Sequence, residues 1–155
     1  MRATRALAVE PLGSAERLRH LSGRLTVDTP GPGFTEITGA LQLFLAESGM
    51  RAGLATVFCR HTSASLLLGE NADPDVRVDL AAALDRFAPR DARYVHDAEG
   101  PDDMPAHIRA VLTGSSLGVP ILDGRLALGR WQGAFLVEHR DRPHRREVAI
   151  TLTGA

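Results

Sequence analysis

Residues 54–68, LATVFCRHTSASLLL, constrain the fold more than any other stretch. They are rich in β-branched, aromatic and aliphatic residues and contain neither glycine nor proline, so they read as one long strand or as two strands joined at a kink. A segment this apolar belongs at the centre of a sheet, with other elements covering its faces. Counted along the strand, Val57, Cys59 and His61 share one face, so the imidazole emerges at the end of an apolar row, where HTSAS adds three hydroxyls.

Around this run the chain alternates between element types. Leu25 and Val27 alternate with polar neighbours and predict a first strand, which TPGPG at residues 29–33 ends. Phe34, Ile37, Leu41, Phe44 and Leu45 recur at spacings of three and four, predicting a helix capped at Ser48-Gly49. Asp73-Pro74 is a second helix start, because the carboxylate accepts orphan amide hydrogens and proline tolerates the first helical position. Val76, Leu80, Leu84 and Phe87 then form its apolar stripe. A third helix of about two turns begins at Pro105, with Asp102 and Asp103 as capping candidates and Ile108, Val111 and Leu112 as its core face before Gly114 ends it. The remainder returns to strands, through an Asp123-Gly124 hairpin turn to a final strand in which Val148, Ile150 and Leu152 alternate. The expected fold is α+β, a single domain over residues 21–155 with a mostly antiparallel or mixed sheet and about three helices. Residues 1–20, with scattered arginines, Pro11 and Gly13 and no clean period, are expected as an N-terminal extension.

Composition removes several function classes. All 18 cationic residues are arginine, which excludes Schiff-base chemistry and a P-loop lysine. A formal net charge of -1 gives no electrostatic reason to expect nucleic acid. The single cysteine, Cys59, excludes an intrachain disulfide and reads as a small core residue. No segment approaches the roughly 20 apolar residues of a membrane span, and the start lacks a signal-peptide core, so a soluble, cytoplasmic protein without membrane contact is expected.

Chemistry-bearing residues concentrate in residues 94–112, YVHDAEGPDDMPAHIRAVL. His107 lies at the start of the third helix, where the positive end of the dipole favours the neutral, electron-donating ring. Alone, it fits a surface histidine helping to cap the turn better than it fits a ligand. With His61 and His96 it could complete a three-histidine, zinc-type site with an open fourth position, although the spacings of 35 and 11 residues match no short zinc signature. Glu70 and Asn71 are without a structural assignment and become candidates for general-base or substrate contacts, as does Ser63 among the hydroxyls after His61. Asp103 is a cap or a general base. Arg145 and Arg146 could hold a phosphate or carboxylate, or lie on a solvated hairpin. Trp131 reads as core or subunit-interface packing.

The segments HTSASLLLGENADPDVRVDL, YVHDAEGPDDMPAHIRAVLTGSSLGVPI, GRWQGAFLVEHR and RREVAITLTG resemble the signature blocks of the YjbQ family, sometimes called secondary thiamine-phosphate synthases. The resemblance runs from about Leu21 to Gly154. Gly69 and Arg130 depart from it, standing where the family blocks commonly carry Asn and Thr. The resemblance implies a homotrimer and places His61, His96 and His107 in motif positions. It also implies a metal-binding enzyme that joins a pyrimidine diphosphate to a thiazole phosphate. On this reading a divalent ion, zinc before magnesium, acts on a phosphorylated small molecule, with Asp103 or Glu70 as base and Ser63, Asn71, Arg145 and Arg146 as substrate contacts. The rival expectations are a non-catalytic ligand-binding or scaffold homotrimer and a metal-dependent hydrolase.

Overall fold

Side-chain parity in the last strand sets up the whole molecule. In β8 (His144–Gly154) the residues Arg146, Val148, Ile150 and Leu152 point one way and are buried, while Arg145 points the other way into solvent. The computed structural model describes residues 17–155. Most of the expected N-terminal extension lies outside the described residues, and Arg19 and His20 already belong to β1 (Arg19–Thr29).

The 54–68 run resolves as two strands, β3 (Gly53–Cys59) and β4 (Ala64–Glu70), which belong to different sheets. β3 is the middle strand of a five-stranded antiparallel sheet ordered β1, β8, β3, β5 (Ser116–Leu122), β6 (Arg125–Leu126). β4 edges a three-stranded antiparallel sheet with β7 (Gln132–Glu138) in the centre and β2 (Gly33–Glu36) beyond it. The corner at residues 60–63 carries the chain from one sheet to the other. Asp123 and Gly124, with φ of 50° and 76°, make the expected tight hairpin between β5 and β6.

One hydrophobic cluster draws on both sheets and on α1 (Thr38–Ser48), with Leu41, Leu45, Val57, Leu66, Ile121, Leu136 and Leu152 essentially inaccessible. Each such side chain contributes about 1.5–3 kcal/mol of transfer free energy. Gly49 closes α1 in the left-handed conformation (φ 68°), as expected. The helix begins later than its apolar period suggests, because Phe34 belongs to β2, where it stacks edge-on against Phe135 of β7 at 6.4 Å.

The other two helices depart from their expected packing. α2 (Pro74–Phe87) starts as predicted, with the Asp73 carboxylate accepting the Asp75 amide at 2.9 Å, but none of its residues is buried and Phe87 is 70% exposed. α3 (Asp103–Thr113) spans three turns and lies against β4. Its inner face is Asp103, Pro105, Ala106 and Arg109, whereas Val111 and Leu112 are exposed. Trp131 is also outside the core, with the Arg130 guanidinium 4.7 Å over its ring. No helix among the described residues is long and apolar enough to cross a membrane.

Candidate metal centre

Asp103 and His107 stand one turn apart on α3, so both side chains project from the same face. The segment between α2 and α3 brings His96 to that face, its course held by the Tyr94 hydroxyl donating to the Pro89 carbonyl at 2.8 Å. His96 Nε2 lies 2.7 Å from Asp103 Oδ2, and His107 Nε2 lies 3.4 Å from the same oxygen. The ring centroids are 5.5 Å apart. One donor atom from each of the three residues falls within 4.8 Å of the others, a spread that a divalent ion can bridge.

The surroundings assign roles to these atoms. His107 Nδ1 is 3.0 Å from the Thr62 carbonyl, and a carbonyl only accepts, so Nδ1 carries the proton and Nε2 presents its lone pair. A ligating histidine characteristically donates its second nitrogen in this way, which fixes tautomer and ring orientation. Asp103 is 2% exposed. Arg140, just past β7, donates from Nη1 to Asp103 Oδ1 and from Nε to Asp102 Oδ2 at 2.9 Å, while its Nη2 donates to the Glu99 carbonyl at 3.1 Å. The guanidinium thus occupies one carboxylate oxygen of Asp103 and leaves the other toward the imidazoles. Burial works to raise the Asp102 pKa, but the Asp141 amide and Arg140 together hold it below the usual carboxylate range. The two aspartates are therefore held by Arg140, with Asp103 Oδ2 left facing the imidazoles, and do not cap α3, whose N-cap has no side-chain hydrogen bond.

His61 is not gathered into this group of donor atoms. The chain turns at residues 60–63 between sheets, so the ring packs back on β8 and its Nε2 accepts the Glu147 amide at 2.7 Å. Burial and the Arg146 charge lower its pKa, which keeps the ring neutral with its proton on Nδ1. His61 and His107 do line one cleft of about 720 Å³, walled by Phe58, Ala110 and Val111. On the other side of the centre, His96 lines a second recess with Arg93 and Asp97.

The remaining expected contacts are placed elsewhere in the chain. Glu70 and Asn71 lie at the far end of β4 from residues 61–63, roughly 20 Å away at the rise of a strand. Glu70 accepts the Asp73 amide at 3.4 Å, and Asn71 donates to Glu36 at 3.1 Å. Arg145 pairs with Asp28, its cross-strand neighbour, at 2.8 Å on an exposed face. Arg146, 4% exposed, is bound by the Glu138 carboxylate at 2.7 and 2.5 Å and donates to Ser63 Oγ and carbonyl at 3.2 and 3.3 Å. Ser63 is thereby a structural partner that anchors the corner next to Thr62. Cys59 is buried, and burial pushes its thiol pKa up, in keeping with a core residue. Arg140 and the Thr62 carbonyl were not singled out by sequence. VEHR ends a strand, and that position was the available signal for Arg140.

The model of the YjbQ-like UPF0047 proteins matches residues 23–155. A UPF0047 protein of Synechocystis is 49% identical over 144 residues, covering 92% of this chain and 98% of that protein. The UPF0047 protein YjbQ of Escherichia coli O157:H7 is 41% identical over 131 residues, covering 84% and 95%. Among solved structures, a YjbQ/UPF0047 family protein from Clostridium acetobutylicum superposes with a TM-score of 0.73 at 38% identity, covering 85% of this chain and 98% of that one. A protein of unknown function from Sulfolobus solfataricus, described as YbjQ-like, shares the fold, with a TM-score of 0.84 at 21% identity and coverage of 90% and 100%. The chain belongs to the UPF0047 family of YjbQ-like proteins.

Proposed function

We propose that the chain is a metal-dependent enzyme acting on a phosphorylated small molecule, with His96, Asp103 and His107 as the ligands of a divalent ion. The observation that carries this reading is the convergence of three donor atoms within 4.8 Å, one of them an imidazole nitrogen freed by its partner's bond to Thr62. Two imidazoles and one carboxylate suit zinc, whereas magnesium favours an all-oxygen shell. Three protein ligands leave an open position, at which the ion would supply Lewis acidity to a substrate oxygen.

The chain's own residues divide the remaining work. Arg140 holds Asp103 Oδ1, so the ligand oxygen keeps its direction during turnover. An ion held here would take the place of the hydrogen bond between His96 Nε2 and Asp103 Oδ2, with the neutral ring carrying its hydrogen on Nδ1. Arg93, in the recess with His96, replaces Arg145 and Arg146 as the cation that steers an anionic substrate. His61, neutral with its proton on Nδ1, offers a hydrogen bond to a substrate acceptor in the cleft that it lines with His107. Exposed Phe58, Val78, Phe87, Val111 and Leu112 support assembly into a homotrimer, because a lone chain leaves these side chains in water.

The first turnover to assay is the joining of a pyrimidine diphosphate to a thiazole phosphate with loss of pyrophosphate. Metal analysis of the purified protein beside His107→Ala, followed by that assay with and without chelator, tests the reading. A retained ion that the substitution removes, together with chelator-sensitive turnover, is expected. No metal in either protein overturns the centre. Bound metal without turnover of any phosphorylated substrate favours a non-catalytic binding or scaffold role.

A further inference from the structure

Two of the three converging side chains are oriented by groups from other elements, and those groups meet at one residue. His107 is turned by the Thr62 carbonyl, on the corner between β3 and β4. Asp103 is turned by the Arg140 guanidinium, just past β7.

Thr62 is itself exposed, so its carbonyl is fixed by its neighbours in the chain. Two successive residues of β8 hold that corner. Glu147 does so through its backbone: its carbonyl accepts the Arg60 amide at 3.2 Å, and its amide donates to His61 Nε2 at 2.7 Å. Arg146, on the buried face, donates from Nη2 to the Ser63 carbonyl at 3.3 Å and to Ser63 Oγ at 3.2 Å. His61 and Ser63 are thus tied to β8, and Thr62 between them presents its carbonyl to the imidazole.

Glu138 aims Arg146. Its Oε2 accepts Arg146 Nε at 2.7 Å and its Oε1 accepts Nη2 at 2.5 Å, a two-point grip that fixes the plane of the guanidinium. The same Oε1 accepts the Arg140 amide at 2.9 Å and so sets the backbone from which the Arg140 side chain leaves toward Asp102 and Asp103. A buried ion pair is a poor way to stabilise a core, since apolar side chains of similar volume often serve as well or better. Apolar side chains cannot supply the directed bonds to Ser63 or the acceptor for the Arg140 amide.

We infer that Glu138 is the positioning residue of the metal centre, an assignment that rests on the ligand set proposed above. Through Arg146 and the corner it sets the ring of His107, and through the Arg140 amide it sets the carboxylate of Asp103. His96 stands outside this arrangement, on the segment held by Tyr94. His61 gains a role that needs no contact with the ion.

Cobalt(II) is the probe, because its visible d–d bands report ligand geometry and a chelator competition titration gives its affinity. Arg146→Lys keeps a cation beside Glu138 but has no planar fork to reach Ser63 as well. Ser63→Ala removes the Oγ contact alone. Leu152→Ala truncates a buried side chain at the other end of β8, lowering Tm with all of these bonds intact. Spectra are taken at a temperature at which circular dichroism shows each variant folded. Arg146→Lys binds cobalt roughly tenfold more weakly with shifted bands, and Glu138→Leu with Arg146→Met, which cuts both limbs, roughly 100-fold more weakly. Ser63→Ala is weakened roughly threefold with bands shifted the same way, and Leu152→Ala matches the wild type in both respects. Wild-type affinity and bands in Arg146→Lys, or equal losses in Leu152→Ala, overturn the assignment and leave the centre in place. A wild-type chain that takes up no cobalt overturns the centre and the assignment with it. If an Arg146 variant does not fold, Ser63→Ala against Leu152→Ala decides.

Discussion

Replacing Glu138 by alanine strands the Arg146 guanidinium in the core. The carboxylate is 2% exposed and accepts five hydrogen bonds: two from Arg146, one from Thr29 at 2.7 Å, and one each from the His139 and Arg140 amides at 3.1 and 2.9 Å. Removing one partner of a buried, bidentate pair costs about 3–5 kcal/mol, most of it the unpaired charge left behind. For a chain of this length that lowers Tm by roughly 6–20 °C. Replacing both partners, Glu138→Leu with Arg146→Met, removes the charge and is less destabilising than Glu138→Ala alone, although the two amides still lose an acceptor. Burial alone would raise the Glu138 pKa, but Arg146, the Arg140 amide and Thr29 hold it below its ordinary value. The pair's contribution is therefore full above the unfolded-state pKa and is lost as pH falls through the lower folded-state value. Urea and thermal unfolding at matched protein concentration measure these differences. A single-variant loss under about 1 kcal/mol, or a double-variant loss equal to the sum of the singles, would refute the reasoning.

Two further outcomes follow from the geometry of the centre and its surroundings. Arg140→Lys cannot reach Asp102 and Asp103 together, so metal affinity falls by about 10–100-fold in a chelator competition titration while the fold persists; unchanged affinity would remove Arg140 from the centre. His139 is held neutral with a pKa of about 4 against an ordinary 6.5, so the unfolded chain takes up its proton first as pH falls. Stability is then full above pH 6.5 and declines by up to about 3 kcal/mol toward pH 4, and urea unfolding of His139→Gln should show a flatter dependence across that window.

The sheet framework was legible because it rests on local periodicity and turn chemistry. The apolar run at 54–68, the Asp123-Gly124 hairpin, the Gly49 cap and the alternation of Val148, Ile150 and Leu152 each act over a few residues. The same alternation extended two residues back would have placed Arg146 inward and Arg145 outward, and so removed both from the substrate contacts. Helical stripes were less informative: they mark which side is apolar, not what covers it, and Leu80, Phe87, Val111 and Leu112 all remain exposed in the chain. The centre itself depends on tertiary placement. Asp102 and Asp103 carried the signature of caps, and only the return of β7 shows that Arg140 holds them. His61 lies just past the end of β3, and the turn between sheets commits its Nε2 to Glu147.

The central claim is a metal centre built from two imidazoles and one carboxylate. X-ray absorption at the zinc edge of the loaded protein reports that shell directly. The expected spectrum has only nitrogen and oxygen scatterers at about 2.0–2.2 Å, with the outer-shell pattern of two imidazoles that falls to one when His107→Ala, which loses the ion on purification, is saturated with added zinc. A sulfur scatterer near about 2.3 Å, a spectrum unchanged by that substitution, or failure to retain zinc would contradict it.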